Sequence, residues 1–361
     1  MITKTLILGL YWSIFHPVPP DVNYMEEIIK LADLYGVEGF EMCGECHGPT
    51  GGLEGVLLFE DYPEAMAQCD KVLVLDTREK LNRIVELSHN SGRKFIYWHR
   101  EVRVPQGVIE SVPEILDEKG EINFNSEVYW QFVRNKIRGF FKAVPGIDGL
   151  VLTLTEADYS VIHNSDHERY PPVEIAARLI RTFSEELETL GKSLTFRTFG
   201  SIDEDYRILS AAAKLALKEC SFEIETKVTP YDWSLVLPDN PYLKRTENAS
   251  LAAEFDLIGE YFGLGELPCL YPDLIVNEVR YACERGATRF PGRIDRWNRK
   301  AIESVNEMNL YAFTQALRNP EVASDEIWQA WAVKKWGEAG TDLIPIMKTS
   351  VDLIRKSFYI D

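Results

Sequence analysis

Short apolar runs alternate with longer amphipathic segments along most of the chain, and this alternation constrains its fold more than any other feature. It is typical of βα units, in which a helix follows each strand of a mostly parallel sheet. The runs with the length and composition of strands are Thr5–Ser13, Val37–Cys43, Lys94–Arg100, Gly149–Thr155, Ser193–Phe199, Ser221–Lys227, Phe255–Tyr261 and Ala287–Gly292. Because there are eight of them, the sequence predicts a (β/α)8 TIM barrel.

Helical spacing of Leu, Ile and Ala marks the segments between these strands. The predicted helices are Asn23–Tyr35, Glu79–Ser88, Tyr129–Ala143, Val173–Leu190, Asp203–Leu217, Leu274–Arg285 and Ala301–Leu317. Asp76 is the predicted N-cap of the second helix. Two longer stretches, Gly44–Asp70 and Val102–Asn125, lack a regular pattern and are expected to form loops at the rim of the barrel.

The chain has 361 residues, which suits one barrel with additions, since such barrels take about 250 residues and can exceed 400. We therefore predict a single catalytic barrel over residues 1–361, in which 325–361 form a helical extension packed outside it. The sequence does not indicate an oligomeric state.

Charge and apolar content exclude several classes of partner. The chain carries 39 basic and 57 acidic side chains, a net charge of −18, so its field repels nucleic acid. No apolar stretch reaches the roughly 18 residues of a membrane span. The apolar run near the N-terminus is not followed by a cleavage site of small residues. Six scattered cysteines do not suggest a disulfide framework. We therefore expect a cytoplasmic protein with reduced thiols.

Acidic residues follow three of the predicted strands. Glu156 comes after the fourth strand, Asp232 lies just beyond the sixth, and Glu260 falls at the end of the seventh. Catalytic groups of these barrels project from the carboxyl ends of the strands, so the three are candidate catalytic residues. A protonated and an ionised carboxyl group are what glycoside hydrolysis requires.

Basic and aromatic residues accompany the three acids and are candidate substrate-binding residues. They are Trp98, Arg100, Arg197, Lys227, Trp233, Tyr261, Arg293 and Trp297. Flat aromatic faces suit sugar rings. Arg197 and Lys227 could instead form structural ion pairs with the nearby carboxylates. Even then, opposite charges grouped at the mouth of a barrel shift the pKa values of the carboxyl groups.

The run Cys43-Gly44-Glu45-Cys46-His47 has the spacing of a haem-attachment motif and could offer thiolates to zinc. No second cysteine pair supports zinc, and no export signal supports haem. We therefore interpret this run as a rim loop and predict no metal and no cofactor.

From Cys220 to Gly337 the sequence resembles the catalytic barrel of the α-glucuronidases of glycoside hydrolase family 67. Lys227, Pro230 and Asp232 match one family motif, with Trp233 at an aromatic position. Glu254-Phe255, then Glu260-Tyr261 and then Gly263 are similar to another. Further likenesses are Arg197-Thr198-Phe199 upstream and the tail residues Gly292, Trp297, Asn309, Tyr311, Phe313 and Asn319-Pro320.

This resemblance implies an inverting mechanism. Glu156 would be the general acid, Asp232 and Glu260 would activate water, and Arg197 with Lys227 would face the substrate carboxylate. The chain departs from the family at Leu152, where members carry a Lys. It shows no family motif before about residue 145, and neither the N-terminal β-rich domain nor the long C-terminal extension of the family.

The sequence thus predicts a glycoside hydrolase that cleaves an α-linked, uronic sugar from a short oligosaccharide. One alternative is a divalent-metal-dependent sugar isomerase or epimerase that uses Glu156, Asp232, Glu260 and Glu225 as ligands. Another is a sugar-binding barrel without catalytic activity.

Overall fold

The computed structural model of the protein describes residues 9–15, 21–43, 51–157, 159–163, 166–297 and 299–359. Its eight main strands form a closed parallel barrel in which sequential strands are neighbours and the last strand pairs with the first. They are β1 (Leu10–Ile14), β2 (Gly39–Met42), β3 (Lys94–Arg100), β4 (Gly149–Thr153), β5 (Ser193–Arg197), β6 (Glu223–Lys227), β7 (Ser250–Asp256) and β8 (Phe290–Arg293). The prediction of a (β/α)8 TIM barrel is confirmed.

Eleven α-helices accompany the barrel within the residues that the structure describes. They are α1 (Val22–Tyr35), α2 (Pro63–Gln68), α3 (Lys71–Asn90), α4 (Gln106–Ser111), α5 (Glu127–Ala143), α6 (Pro172–Thr189), α7 (Asp203–Ala216), α8 (Pro272–Glu284), α9 (Glu307–Arg318), α10 (Ser324–Trp336) and α11 (Ile344–Phe358). A two-stranded hairpin of β9 (Asp295–Arg296) and β10 (Arg299–Lys300) follows β8. The helical pattern predicted beyond residue 325 is confirmed by α10 and α11, and the short helices α2 and α4 lie within the stretches predicted to be loops.

The prediction for the seventh strand was wrong, because β7 begins and ends five residues before Phe255–Tyr261. The Asp256 side chain accepts hydrogen bonds from the backbone N–H groups of Ile258, Gly259 and Glu260, at 3.1, 3.1 and 2.8 Å. These bonds turn the chain out of the sheet directly after Asp256. The apolar pair Leu257-Ile258 therefore belongs to a turn and not to the strand.

Two predicted helix starts were also wrong. Helix α3 begins at Lys71, because Asp70 caps it by accepting a hydrogen bond from the Leu73 N–H at 3.0 Å. Asp76, the predicted cap, lies inside this helix and pairs with Lys80 at 2.7 Å. Helix α9 begins at Glu307, six residues after the predicted Ala301.

The described residues group into two compact units. This division does not test the prediction of a single catalytic barrel, which stays a prediction. One unit lies within residues 1–16, 28–41 and 225–361, and the other within residues 17–27 and 42–224. The first unit contains β7, β8 and helices α8 to α11, and the second contains β3, β4 and β5 with helices α2 to α7.

In the second unit, a buried charge cluster lies between β3 and α5. Lys136 Nζ is 2.6 Å from Glu101 Oε2 and 3.0 Å from Glu54 Oε1, and none of these side chains is more than 8% exposed. His99 accepts the Leu53 N–H at Nδ1, so its Nε2–H donates to Glu101 at 2.8 Å. Burial alone would raise the pKa of Glu101, but Lys136 and then His99 bring it down to about 2. Lys136 thus keeps a buried carboxylate ionised.

In the first unit, Arg289 lies inside the barrel between two buried carboxylates. Its guanidinium is paired with Glu41 and, at 3.0 Å, with Glu225 Oε2, and it lies over the Tyr11 ring. Glu225, a candidate metal ligand of the alternative hypothesis, is thus engaged by an arginine. A guanidinium competes directly with a divalent cation for the same carboxylate oxygens.

Helix α8 carries a buried carboxyl group, Glu278, whose pKa is raised to about 8 by burial and then by Asp239 and Asp256. Glu in an unfolded chain titrates at about 4.3, so the folded protein binds the extra proton between these values. The free energy of unfolding therefore falls as pH rises through this window. We expect the free energy of unfolding of Glu278→Gln, relative to that of the native protein, to be on the order of 4 kcal/mol more favourable at pH 8.5 than at pH 5.

Urea unfolding of both proteins at the two pH values measures this difference. Glu284→Gln is the matched control, because Glu284 is exposed at the end of the same helix. A variant that keeps the same difference from the native protein at both pH values would show that Glu278 is not protonated in the folded state.

Candidate active site

A half-exposed carboxylate and two buried arginines meet beyond the carboxyl ends of β3, β4 and β5, in the second unit. The Glu156 side chain is 38% exposed, and its Oε2 is 3.1 Å from Arg197 Nη1 and 3.7 Å from Arg100 Nη2. Arg197 is the last residue of β5, Arg100 is the last residue of β3, and Glu156 follows β4 by three residues. These strand ends are the positions where a (β/α)8 barrel carries its chemistry.

Aromatic rings fix Arg197 in place. Its guanidinium carbon lies 4.7 Å from the centroid of the Trp98 ring and 4.6 Å from that of Phe199. The Thr155 hydroxyl donates to the Phe199 carbonyl at 2.9 Å, which ties the loop of Glu156 to the end of β5. Because Arg197 is only 1% exposed, it is a rigid cation whose position does not depend on solvent.

Arg100 is held from the other side by a thiol. Its Nη1 donates to Cys43 Sγ at 3.2 Å, and its guanidinium carbon lies 6.0 Å from the Trp98 ring. Cys43 opens the Cys-x-x-Cys-His run, and the rest of that run lies outside the described residues. Cys43 therefore helps to orient an arginine of this cluster.

A second carboxylate, Asp232, lies beyond the carboxyl end of β6 in the first unit. Its side chain is 51% exposed, and its Oδ1 is 2.5 Å from Lys227 Nζ. The ammonium of Lys227 also lies 4.6 Å from the Trp233 ring centroid. The Tyr261 hydroxyl hydrogen-bonds to Asp232, and burial, followed by the charges of Glu260 and Asp232, raises the Tyr261 pKa well above its usual value. Asp232 thus accepts hydrogen bonds from an ammonium and a phenol.

The backbone around Asp232 is shaped by a crossover without a helix. The structure describes every residue of this crossover, Val228 to Ala249, and shows only bends and turns there. Asn240 is fully buried and donates from its amide to the carbonyls of Lys227 and Thr229 at 2.9 and 3.3 Å, while its amide oxygen accepts the Tyr242 N–H at 2.9 Å. Asn240 thus ties the middle of the crossover to the end of β6.

Glu260, the third predicted catalytic residue, is buried and engaged by two arginines. It pairs with Arg293, and its Oε1 lies 2.8 Å from Arg296 Nε. Arg293 also pairs with the buried Glu254 at 3.0 Å. With 4% of its surface exposed, Glu260 is poorly placed to take a proton from a solvent water molecule.

The hairpin of β9 and β10 presents an exposed tryptophan. The Arg296 guanidinium carbon lies 5.0 Å from the Phe15 ring and 4.8 Å from the Trp297 ring. Asp295 fixes the base of the hairpin by accepting the Phe15 N–H at 2.6 Å. Trp297 is 60% exposed at the tip, so one indole face remains open to solvent.

The structure brings the predicted residues together in two groups, one in each unit. Glu156, Arg197, Arg100 and Trp98 form the group of the second unit, and Asp232, Lys227, Trp233 and Tyr261 form that of the first. Glu260 and Arg293 pair with each other beside the group of the first unit. Trp98 and Trp233 are 1% and 4% exposed, so they pack on cations, whereas Tyr261 at 43% and Trp297 at 60% offer open rings.

Sequence reasoning assigned no role to three residues that support these groups: Glu254, Asp256 and Phe15. Glu254 and Asp256 alternate with apolar neighbours on β7, and this alternation would have revealed them had the strand been placed at Ser250. Burial, and then the charge of Glu260, raises the pKa of Asp256 to about 7. Phe15 carries no signal in the sequence, because its role depends on contacts with Arg293 and Arg296.

Among the described residues, no three side chains of His, Cys, Asp or Glu are grouped as metal ligands. Glu156, Asp232 and Glu260 each face an arginine or a lysine, which disfavours a divalent cation beside them. Within the same described ranges, none of the helices combines the length and the apolar character needed to cross a bilayer.

Solved structures share the barrel fold at low sequence identity. A GH138 enzyme targeting pectin rhamnogalacturonan II is 14% identical with a TM-score of 0.67, and the match covers 98% of this chain and 44% of that chain. A chitobiase from Flavobacterium johnsoniae is 10% identical with a TM-score of 0.52, and the match covers 96% of this chain and 53% of that chain. The GH20 catalytic modules of a pneumococcal exo-β-D-N-acetylglucosaminidase are 10% identical with a TM-score of 0.51, and the match covers 98% of this chain and 99% of that chain.

These matches establish the (β/α)8 barrel, and the chain spans less than half of the length of the GH138 chain. No family model matches the sequence, and no curated protein matches it. The resemblance to the family 67 α-glucuronidases therefore stays a prediction.

Proposed function

We propose that the protein is a glycoside hydrolase that removes an α-linked uronic sugar from short oligosaccharides with inversion of configuration. The observation that carries the proposal is the placement of half-exposed Glu156 beside two buried guanidinium groups at strand ends. A carboxyl group that solvent can reach is suited to proton transfer, and arginines are suited to bind a carboxylate on the sugar. The α linkage and the inversion come from the resemblance to family 67.

The roles follow from exposure and contacts. Glu156 donates a proton to the leaving oxygen. The resemblance to family 67 assigns the attacking water to Asp232, and the ammonium of Lys227 beside Asp232 favours the charged form that accepts a proton. We assign Glu260 a different role from the one that the resemblance implies: it holds Arg293 and Arg296 in place.

Size and charge restrict the substrate further. With a net charge of −18, the protein repels a long acidic polymer at a distance, whereas the fixed arginines attract one carboxylate locally. A short oligosaccharide with a terminal uronic residue satisfies both conditions.

Proton NMR of the first-formed anomer tests the proposal, on a panel of α-uronosides and matched neutral glycosides. We expect cleavage of a uronoside and initial release of the β-anomer. Release of the α-anomer would overturn the inverting mechanism, and exclusive cleavage of neutral glycosides would overturn the uronic substrate. Binding of the panel without cleavage of any member would indicate a sugar-binding barrel instead.

A further inference from the structure

A cavity of about 350 Å³ lies in the second unit, between α3, α5 and the segment from Leu57 to Tyr62. None of the described residues that line it belongs to the group of Glu156 or to that of Asp232. Ligand pockets in proteins measure about 300–1,000 Å³, so this cavity has room for one small molecule.

One end of the cavity carries two cations that carboxylates do not neutralise. Arg78 donates from Nε and Nη2 to the Val56 carbonyl at 3.2 and 2.9 Å, which uses two of its five N–H donors. Lys142 is exposed on α5. Within the described ranges, neither cation forms an ion pair. The Asn82 amide donates to the carbonyls of Arg78 and Ala143, both at 2.9 Å, and so holds this end of α5 against α3.

The two other cations that line the cavity already have carboxylate partners. Lys136 lies between two buried carboxylates, and Arg138 donates from Nε and Nη2 to Glu186, both at 2.7 Å. The positive charge that the cavity offers to a ligand is therefore that of Arg78 and Lys142.

The other end of the cavity is aromatic and acidic. The Phe59 ring stacks on that of Phe132 with 6.5 Å between centroids, and the Tyr62 ring meets Phe132 edge-on at 5.7 Å. The Tyr62 N–H donates to the Phe59 carbonyl at 2.8 Å, so the chain turns here. Glu60 and Asp61 are exposed within this turn and line the cavity.

Helix α5 separates the two ends. Asn135 hydrogen-bonds to the Tyr62 hydroxyl at the acidic end, and Lys142 follows it by seven positions. A helix rises 1.5 Å per residue, so these positions are about 10 Å apart along its axis. The cavity is thus cationic at one end and rich in hydrogen-bond acceptors at the other.

This distribution of charge favours one class of ligand. Arginine and lysine together suit a carboxylate or a phosphate. Carboxylates such as those of Glu60 and Asp61 accept hydrogen bonds from hydroxyl groups, and they repel a second anion. A polyol with a single anionic group at one end satisfies both requirements.

We propose that this cavity is a second carbohydrate site, which binds a small sugar carrying one carboxylate or one phosphate group. The anionic group lies on Arg78 and Lys142, and hydroxyl groups of the sugar donate to Glu60 and Asp61. The inference goes beyond the proposed catalytic function, because none of the residues in this site has a role in that reaction.

Methyl NMR of the full chain tests the proposal, since Leu57, Leu58 and Ala143 line the cavity and report on its occupancy. The probes are glucuronate, glucose 6-phosphate, glucose and inorganic phosphate. At about 10 mM, a probe with a Kd near 1 mM fills about nine-tenths of the sites. We expect at least one of the two charged sugars to shift all three methyl signals, and glucose and phosphate to bind at least about tenfold more weakly.

Two variants identify the cationic end. Arg78→Met should weaken binding of the charged sugar about tenfold or more, the loss expected for a charge-assisted hydrogen bond, and Lys142→Met should weaken it about threefold. Arg83→Met is the matched control, because Arg83 lies on the same helix as Arg78, pairs with Glu86 at 2.6 Å and does not line the cavity. Its affinity should equal that of the native protein.

Four results would overturn the proposal. They are methyl signals that neither charged sugar shifts, equal affinity for glucose, equal affinity for inorganic phosphate, which would mean an ion site only, and unchanged affinity in both variants. If Arg78→Met does not fold, Lys142→Met decides, because its side chain is exposed. The measurement requires no turnover, so a protein that cleaves no uronide would end the proposed function without affecting this test.

Discussion

Glu156→Gln is expected to lower kcat at least 100-fold on a uronide with a poor leaving group, because Gln cannot donate a proton to the departing oxygen. The same variant should lose much less activity on a dinitrophenyl uronide, since that leaving group departs without a proton. The pattern across leaving groups distinguishes loss of the acid from general damage to the site. Steady-state kinetics on the two substrates measures it.

Glu185→Gln is the matched control, because Glu185 is exposed on α6 and remote in its contacts from the arginine cluster. We expect its kcat to equal that of the native protein on both substrates. A loss below tenfold for Glu156→Gln on the poor leaving group would remove Glu156 from the mechanism. An equal loss on both leaving groups would assign it a role in binding instead.

Lys136→Met is expected to lower the free energy of unfolding by about 3–5 kcal/mol, the cost of leaving a buried charge without its partner. The substitution keeps the length of the side chain but leaves Glu101 and Glu54 facing each other without the ammonium between them. Part of the loss should be recovered in the double variant Lys136→Met/Glu101→Gln, since the amide removes one buried charge. Urea unfolding of the three proteins gives the values.

Lys348→Met tests the same substitution at an exposed ion pair. Lys348 and Asp325 are 2.6 Å apart, but their side chains are 40% and 81% exposed. Exposed pairs contribute about 0–1 kcal/mol, so this variant should unfold almost like the native protein. If Lys136→Met loses no more than Lys348→Met, the buried cluster does not stabilise the fold.

The barrel itself could be predicted because the alternation of strands and helices is a local property of the sequence. Lys94–Arg100 was predicted to the residue, since its centre from Phe95 to Trp98 is apolar and charged residues lie at both ends. The wrong bounds predicted for β7 show that the apolar pattern alone does not determine where a strand begins and ends. The run from Phe255 to Ile258 carries larger apolar side chains than the run from Ser250 to Ala253, and the strand was therefore predicted there. In the structure the strand begins at Ser250, and the hydrogen bonds of the Asp256 side chain end it.

Within the site, only the contacts between residues at the ends of neighbouring strands could be predicted from the sequence. Glu156 and Arg197 were predicted to lie close together because adjacent parallel strands end at the same edge of the barrel. The pairing of Glu260 with Arg293 and Arg296 was not, because it depends on the turn that Asp256 makes after β7 and on side-chain directions that periodicity does not encode. Trp98 and Trp233 are buried with cations beside their rings, and no spacing rule indicates these contacts.

The crossover from Val228 to Ala249 holds its shape through Asn240 and through single contacts such as that of Arg355 with the Leu235 carbonyl at 3.0 Å. A helix in this place would have to match its apolar face to the barrel wall, so every insertion would require a compensating change in the core. An irregular connection carries no such requirement. This connection, which carries Asp232, can therefore change in length and sequence while the strands that carry Arg100, Arg197 and Lys227 stay as they are.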